Sequence, residues 1–425
     1  MQIDCSFAAD GADVGRVVVA DYSLPSLSNL TPTRFNPMLL NWADLPFTLH
    51  LSQSGGYNDN ILGQPASIGF IPGAAHNSNV YGDLFESTNF GLSTKLDIGP
   101  QEFFADANYG FTKYRQYSFF NTNNHFINVG VKFQITPRCT GSLTATSSQS
   151  ESPLDELITP GINTVNQNSI SETATCIVFN HISAILDSGF DSHTNSQALT
   201  ALNNYRSVHV RGGLEYALSD LDSLTVTTQF IQRDFSDNQL TGIPGVSGTA
   251  ATNTDQTNYN LSYQRTFSPK LTAAATGGIT QTTTQGSGTS QSTPTYSANL
   301  TYNPTPKLSV SLGIGHTVGA PTSVLATSQL SDTKSLGISY AFSPKLAFQA
   351  SVSQSNTTAQ GSLSAAVAAL PYTQSNTSTS EGGSATYQIS PFLTATASIR
   401  HTARSYSSIE ATTNLYTLGL SYNPH

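Results

Sequence analysis

The chain has 425 residues, of which only 10% are charged, against roughly 25% in a soluble globular protein. With 18 Tyr, 21 Phe and 37% hydrophobic residues it is too rich in aromatics for a disordered chain, and it lacks the run of ~18 apolar residues that a transmembrane helix needs. A net charge of -9 argues against nucleic acid as a partner, because phosphate binding needs a basic patch.

What remains is a chain of strands with one polar and one apolar face. Residues 1–46 show no strand period and are interrupted by Pro25, Pro32, Pro37 and Pro46. They are expected to form a periplasmic extension, a plug or a docking arm ahead of a barrel spanning 47–425. Alternation starts at Phe47, Leu49 and Leu51 against Thr48, His50 and Ser52. It continues through Phe90–Ile98, Phe103–Phe111 and His125–Ile135. A period of two sustained over ten or so residues is a strand signal.

Further along, Val208, Val210, Leu214 and Tyr216 alternate with His209, Arg211 and Glu215. From Tyr259 onward one unit recurs with smaller residues. A strand ends in aromatics, a tight turn with Pro and usually Lys follows, and a second strand leaves. Phe267-Ser268-Pro269-Lys270 and Phe342-Ser343-Pro344-Lys345 are the same turn used twice. Pro presets the turn and is excluded from a central ladder.

The pattern gives about 18 strands in an all-β, transmembrane, antiparallel up-and-down barrel. Tight turns are expected near 99–100, 136–137, 180–181, 219–220, 268–269, 304–306, 343–344 and 390–391. The longer connections fall near 58–84, 118–124, 151–166, 195–203, 237–252, 285–291, 319–328, 359–375 and 406–409. Outer-membrane barrels sort their connections this way, with short periplasmic turns and long extracellular loops. The expected location is therefore the bacterial outer membrane. Met1–Ala9 has no basic or apolar leader region, so an export signal peptide would lie outside this sequence.

The apolar set is expected to face lipid and the polar set the lumen. Lys95, Asp97, Asp106, Lys132, Glu172, Asp187, His209, Arg211, Glu215, Arg233, Arg400 and Arg404 are thereby expected to line a pore. The reverse choice would put these charges at membrane depth, at roughly 2–4 kcal/mol for each Lys or Arg. Lys113 and Arg115 take lipid parity but sit at the outer end of their strand. Tyr216, Tyr263, Phe267, Tyr302, Tyr340, Phe342, Tyr387, Phe392 and Tyr422 lie beside the tight turns, as an interfacial girdle requires. A barrel of this size leaves an aqueous channel.

Signs of catalysis or of a cofactor are lacking. The Gly-rich segments have no following Lys-Ser/Thr, and no paired-His zinc motif occurs. Asp234–Asn238 lacks the central Gly and terminal Glu of a calcium loop. No enzyme, metal or cofactor is expected. Cys139 and Cys176 fall near the same end of adjacent strands, so a cross-strand disulfide is conceivable in an oxidising envelope, although strand parity points them to opposite faces, which disfavours it.

The stretch Leu49-His50-Leu51-Ser52-Gln53-Ser54-Gly55-Gly56-Tyr57-Asn58-Asp59-Asn60-Ile61 resembles the first strand of outer-membrane β-barrel porins associated with exopolysaccharide and capsule export operons. The turns Tyr302–Leu308 and Tyr340–Leu346 resemble that family's Tyr-x-x-Ser/Asn-Pro-Lys-Leu hairpins. The resemblance covers about 47–423. It implies a passive pore for a secreted polysaccharide, working with outer-membrane lipid and periplasmic export proteins. The alternatives are a general diffusion porin and a structural barrel that sheathes or anchors a partner protein.

Overall fold

The computed structural model describes residues 47–61, 82–152, 163–196, 204–235, 253–285, 290–320, 328–360, 375–406 and 409–423. The extension expected at 1–46 lies outside them. The strands are β1 (Phe47–Asn58), β2 (Asp83–Ile98), β3 (Gln101–Tyr114), β4 (Thr122–Thr136), β5 (Cys139–Ser152), β6 (Asn163–Phe179), β7 (Ile182–Asn195), β8 (Tyr205–Ser219) and β9 (Asp222–Phe235). They continue with β10 (Thr254–Ser268), β11 (Leu271–Thr284), β12 (Ser290–Thr305), β13 (Leu308–Gly319), β14 (Ser328–Ser343), β15 (Leu346–Gln360), β16 (Ser375–Ser390), β17 (Leu393–Tyr406) and β18 (Ile409–Tyr422). Each strand pairs antiparallel with the next, and β1 also pairs with β18, so the 18-stranded sheet closes on itself. Closure leaves no sheet edge, which is what hydrocarbon demands of a β structure.

Six of the short turns follow one local recipe. At Thr136, Ser219, Ser268, Thr305, Ser343 and Ser390 the register shifts by a bulge just before the turn. The same hydroxyl then accepts a backbone N–H two residues on, from Arg138, Leu221, Lys270, Lys307, Lys345 and Phe392, at 3.1–3.3 Å. A Ser/Thr turn followed by Pro or Asp therefore ends each of these strands. Pro304 is tolerated because it sits inside the irregular step between Tyr302 and Thr305. The β2–β3 turn is built differently, on Gly99 at φ 62°, a left-handed conformation that glycine adopts without strain.

The exposed large apolar side chains fall almost entirely on one parity. Leu214, Val226, Leu261, Ile314, Ile399 and Leu418 are each about half exposed or more. That face carries the aromatics beside the turns, and also a second set, Tyr57, Tyr109, Tyr259, Tyr296 and Tyr416. Sequence reading had placed a girdle only at the turn side. The upper set was hidden because each Tyr occupies an ordinary apolar position. On β18 the belt runs Tyr422, Leu420, Leu418, Tyr416, a span of six residues, or about 20 Å along the strand.

Cross-strand glycines recur beneath rings. The position of an added Cβ at Gly56, Gly130, Gly141 or Gly189 falls 2.5–2.8 Å from ring atoms of Phe85, Phe104, Phe133 or His209. These rings occupy space that only glycine leaves open.

Cys139 and Cys176 are direct cross-strand partners with Cα atoms 4.1 Å apart, and they form a disulfide. The expectation of opposite faces is corrected. The ladder from Cys139–Cys176 to Leu143–Glu172 and Ala145–Ile170 has no register shift, so Cys139 shares the outward face of Leu143 and Cys176 that of Ile170. The expectation failed because charge, not alternation, had been used to turn Glu172, and with it all of β6, inward. The bridge clamps the β4–β5 hairpin to the β6–β7 hairpin across a sequence separation of 37. Replacing both cysteines by Ser is expected to lower barrel stability by about 2–4 kcal/mol. Urea unfolding from lipid vesicles, with and without reductant, checks this: wild type plus reductant should match the double variant.

Candidate functional site: the inward face of the barrel

The register places Lys95, Asp97, Asp106, Lys132, Asp187, His209, Arg211, Glu215, Arg233, Arg400 and Arg404 on the inward face. Glu172 departs from this. It pairs with Leu143 on β5 and with Ser188 on β7, in the rows beside Ile170 and Phe190. That is the lipid-facing side. Alternation had already fixed Glu172 on the face of Ile170, and the rule that charges point inward does not override a period of two. A lone carboxylate within the apolar belt costs stability. Glu172→Leu is expected to stabilise the barrel by roughly 1 kcal/mol, read as a higher urea midpoint in vesicles. A lower midpoint would show instead that the carboxylate serves a polar partner.

The inward charges form separate groups. At the periplasmic mouth, Glu102 takes Lys95 at 2.6 Å and Lys132 at 3.0 Å. Lys132 also lies 5.7 Å from the centre of the Phe104 ring. Deeper in the lumen, His209 stands between two carboxylates, Nε2 at 3.2 Å from Asp187 and Nδ1 at 3.3 Å from Asp191. Arg211 reaches Asp187 at 3.6 Å. Opposite charges thus meet on neighbouring strands and largely cancel locally. Glu102 and Asp191 were missed at the sequence level. Both hold inward parity, and the signal that finds them is the cation directly across the ladder or one step along it.

Toward the extracellular end a hydrogen-bonded ladder crosses β9 to β11. Arg233 donates to Gln256 Oε1 at 2.7 Å, and Gln256 Nε2 donates to Asn258 Oδ1 at 2.9 Å. Asn258 Nδ2 donates to Gln229 at 3.1 Å, and the Thr280 hydroxyl donates to Asn258 Oδ1 at 2.8 Å. Arg233, Gln256 and Asn258 are buried. Burial here satisfies the arginine through amides rather than through an acid.

From β10 to β16 the inward face has another character. Its residues are Ser, Thr, Asn, Gln, Gly and Ala. The strand charges Asp255, Arg265, Asp332, Lys334 and Glu381 all fall on the outward parity. On that outer side His316 bonds Asp332 at 2.5 Å and stacks on Tyr296. Arg400 and Arg404 border the uncharged arc on β17, opposite Gly382 and Ser378 of β16. Among the described residues no group of three or more His, Cys, Asp or Glu side chains is arranged to hold a metal ion.

Residues 266–422 match a family model described as putative beta-barrel porin 2. No curated protein matches the chain. Among solved structures, the chain is similar to the outer membrane protein OpdK of Pseudomonas aeruginosa at 10% identity, over 89% of this chain and 98% of that one, with a TM-score of 0.47. It is also similar to the siderophore receptor PirA of Acinetobacter baumannii at 11% identity, over 89% of this chain and 80% of that one, with a TM-score of 0.45. A mutant of the ferric enterobactin receptor PfeA of Pseudomonas aeruginosa gives 11% identity, 88% and 80% coverage and a TM-score of 0.43.

The closed antiparallel sheet and its lipid-facing belt define the class: a bacterial outer-membrane β-barrel. The family match runs from the end of β10 to the end of β18, so it covers most of the uncharged arc.

Proposed function

We propose that the barrel is a passive outer-membrane conduit for a secreted polysaccharide, fed by export proteins on the periplasmic side. The observation that carries this reading is the inward face, where hydroxyl and amide side chains dominate and two of the charge clusters are paired internally. Ser, Thr, Asn and Gln both donate and accept hydrogen bonds. A hydrated sugar chain exchanges such contacts with the wall as it does with water, so it passes without tight binding. The described residues offer no means of coupling transport to energy, and the driving force comes from the periplasmic partners.

A second reading is a barrel occupied or narrowed in its extracellular half, as in a sheath around a partner protein. The burial of inward-facing Thr254, Gln256 and Ser331 within this chain alone, at 0%, 1% and 1% exposure, favours a narrowed extracellular half. Efflux from proteoliposomes separates the two. Vesicles are loaded with a labelled dextran polymer and a labelled disaccharide. The conduit releases both without an energy source. Release of the disaccharide alone identifies a general diffusion porin, and retention of both identifies an occupied barrel.

A further inference from the structure

We propose that the polymer is an uncharged glycan, and that it travels along the wall formed by β10 to β16. This rests on the conduit reading above and names its substrate class. The wall is seven strands wide, about 34 Å at ~4.8 Å per strand, in a barrel of 18 strands. No Asp, Glu, Lys, Arg or His among its described residues points inward. An acidic polymer repeats one sign of charge at every unit, and pores that pass such solutes are lined by rings of the opposite sign. This wall offers no counter-charge. Two clusters on the other wall are already matched: Glu102 holds two lysines, and Asp187 holds Arg211 and His209.

The wall is also even in height. Its glycines Gly313, Gly315 and Gly337 lie under the hydroxyls of Ser335, Thr333 and Ser311, which stand 2.6, 2.9 and 2.6 Å from where a Cβ would be. Short hydroxyl side chains fill those gaps and project no further than their neighbours. Its inward positions hold no aromatic residue either, because Tyr259, Tyr296, Tyr340 and Tyr387 all face outward. A sugar face therefore finds no ring on which to stack and stall. Below its buried extracellular positions, such as Thr254, Gln256, Thr280 and Ser331, the wall offers many weak, interchangeable hydrogen bonds and no anchor, which suits a neutral chain that must slide.

The test is block of ion current through the full-length protein in planar bilayers by two probes of equal length, a maltodextrin oligomer and a polygalacturonate oligomer. The neutral oligomer is expected to block at a concentration about tenfold lower, one decade in dissociation constant, with little dependence on salt. In the double variant Ser335→Arg with Ser353→Arg, a cross-strand pair on this wall, the acidic oligomer is expected to gain block that high salt removes. Wild-type block by the acidic oligomer that equals or exceeds the neutral one would overturn the proposal. Loss of such block in R400Q/R404Q would then assign selectivity to the arginines beside the wall. Absence of block by either probe, with conductance intact, would also overturn the proposal while leaving the conduit standing. Absence of conductance would overturn the conduit reading itself.

Discussion

Leu418→Arg is expected to destabilise the assembled barrel by about 2–4 kcal/mol, while Thr417→Arg, one residue away, is expected to cost little. Leu418 is 66% exposed on the outward face, level with Ala397 and Gly55 and between the belt residues Leu420 and Tyr416. An arginine there enters hydrocarbon at mid-belt. Thr417 points inward, where its hydroxyl bonds that of Ser398, and an arginine in its place meets water and loses one neutral hydrogen bond, about 1 kcal/mol. The Leu418 change converts to a roughly 30- to 700-fold drop in the folding equilibrium at 1.4 kcal/mol per decade. Folding into vesicles across a urea series reads it directly. Equal losses at the two positions would mean that the two faces of the sheet are not lipid and lumen.

The seam between β1 and β18 is the second place where a single change is expected to have a large effect. The register there holds eight residue pairs, Leu51–Asn58 with Tyr422–Leu415. The segment just past β1 reinforces it. Asp59 accepts from both the backbone N–H and the side-chain amide of Asn414 at 2.6 Å, and its own N–H donates to the Asn414 carbonyl at 3.1 Å. Buried Asn60 donates to the Thr412 carbonyl at 2.9 Å. At the other end His50 bonds Asn423. Asp59→Ala removes two charge-assisted bonds and is expected to cost about 3 kcal/mol, at ~1.5 kcal/mol or more for each. Gly56→Val is expected to be worse, since its Cβ would meet the Tyr416 carbonyl and sit 2.7 Å from the Phe85 ring. The assembled fraction on unheated gels should fall for both variants. Full heat-modifiability in Gly56→Val would show that the seam does not control closure.

Much of this fold was legible in the sequence because the lipid requirement is written at every second residue. Strand positions, the turn sides and the inward parity of His209, Arg211 and Arg233 follow from alternation alone. The stretch Gly56–Asn60 was visible as a family-like signature, and its physical role emerges only once β18 is beside it. What period two cannot supply is register between strands. Only the register shows that Cys139 and Cys176 stand directly opposite each other, and no propensity marks that pairing. Glu172 and Cys176 share one error, in which a general preference for inward charge displaced a period that was already clear on β6. The uncharged wall was present in the sequence as Thr-, Ser- and Gly-rich strands. Its continuity over seven neighbours needed the closed sheet order.

The central claim is that the barrel encloses a continuous aqueous path. Single-channel recording of the purified protein in planar bilayers tests it most directly. A large, steady conductance with weak ion selectivity is expected, since the lumen charges pair across neighbouring strands and no ring of one sign imposes a preference. No conductance from a protein that remains β-rich and heat-modifiable would contradict the claim and make the barrel a sheath.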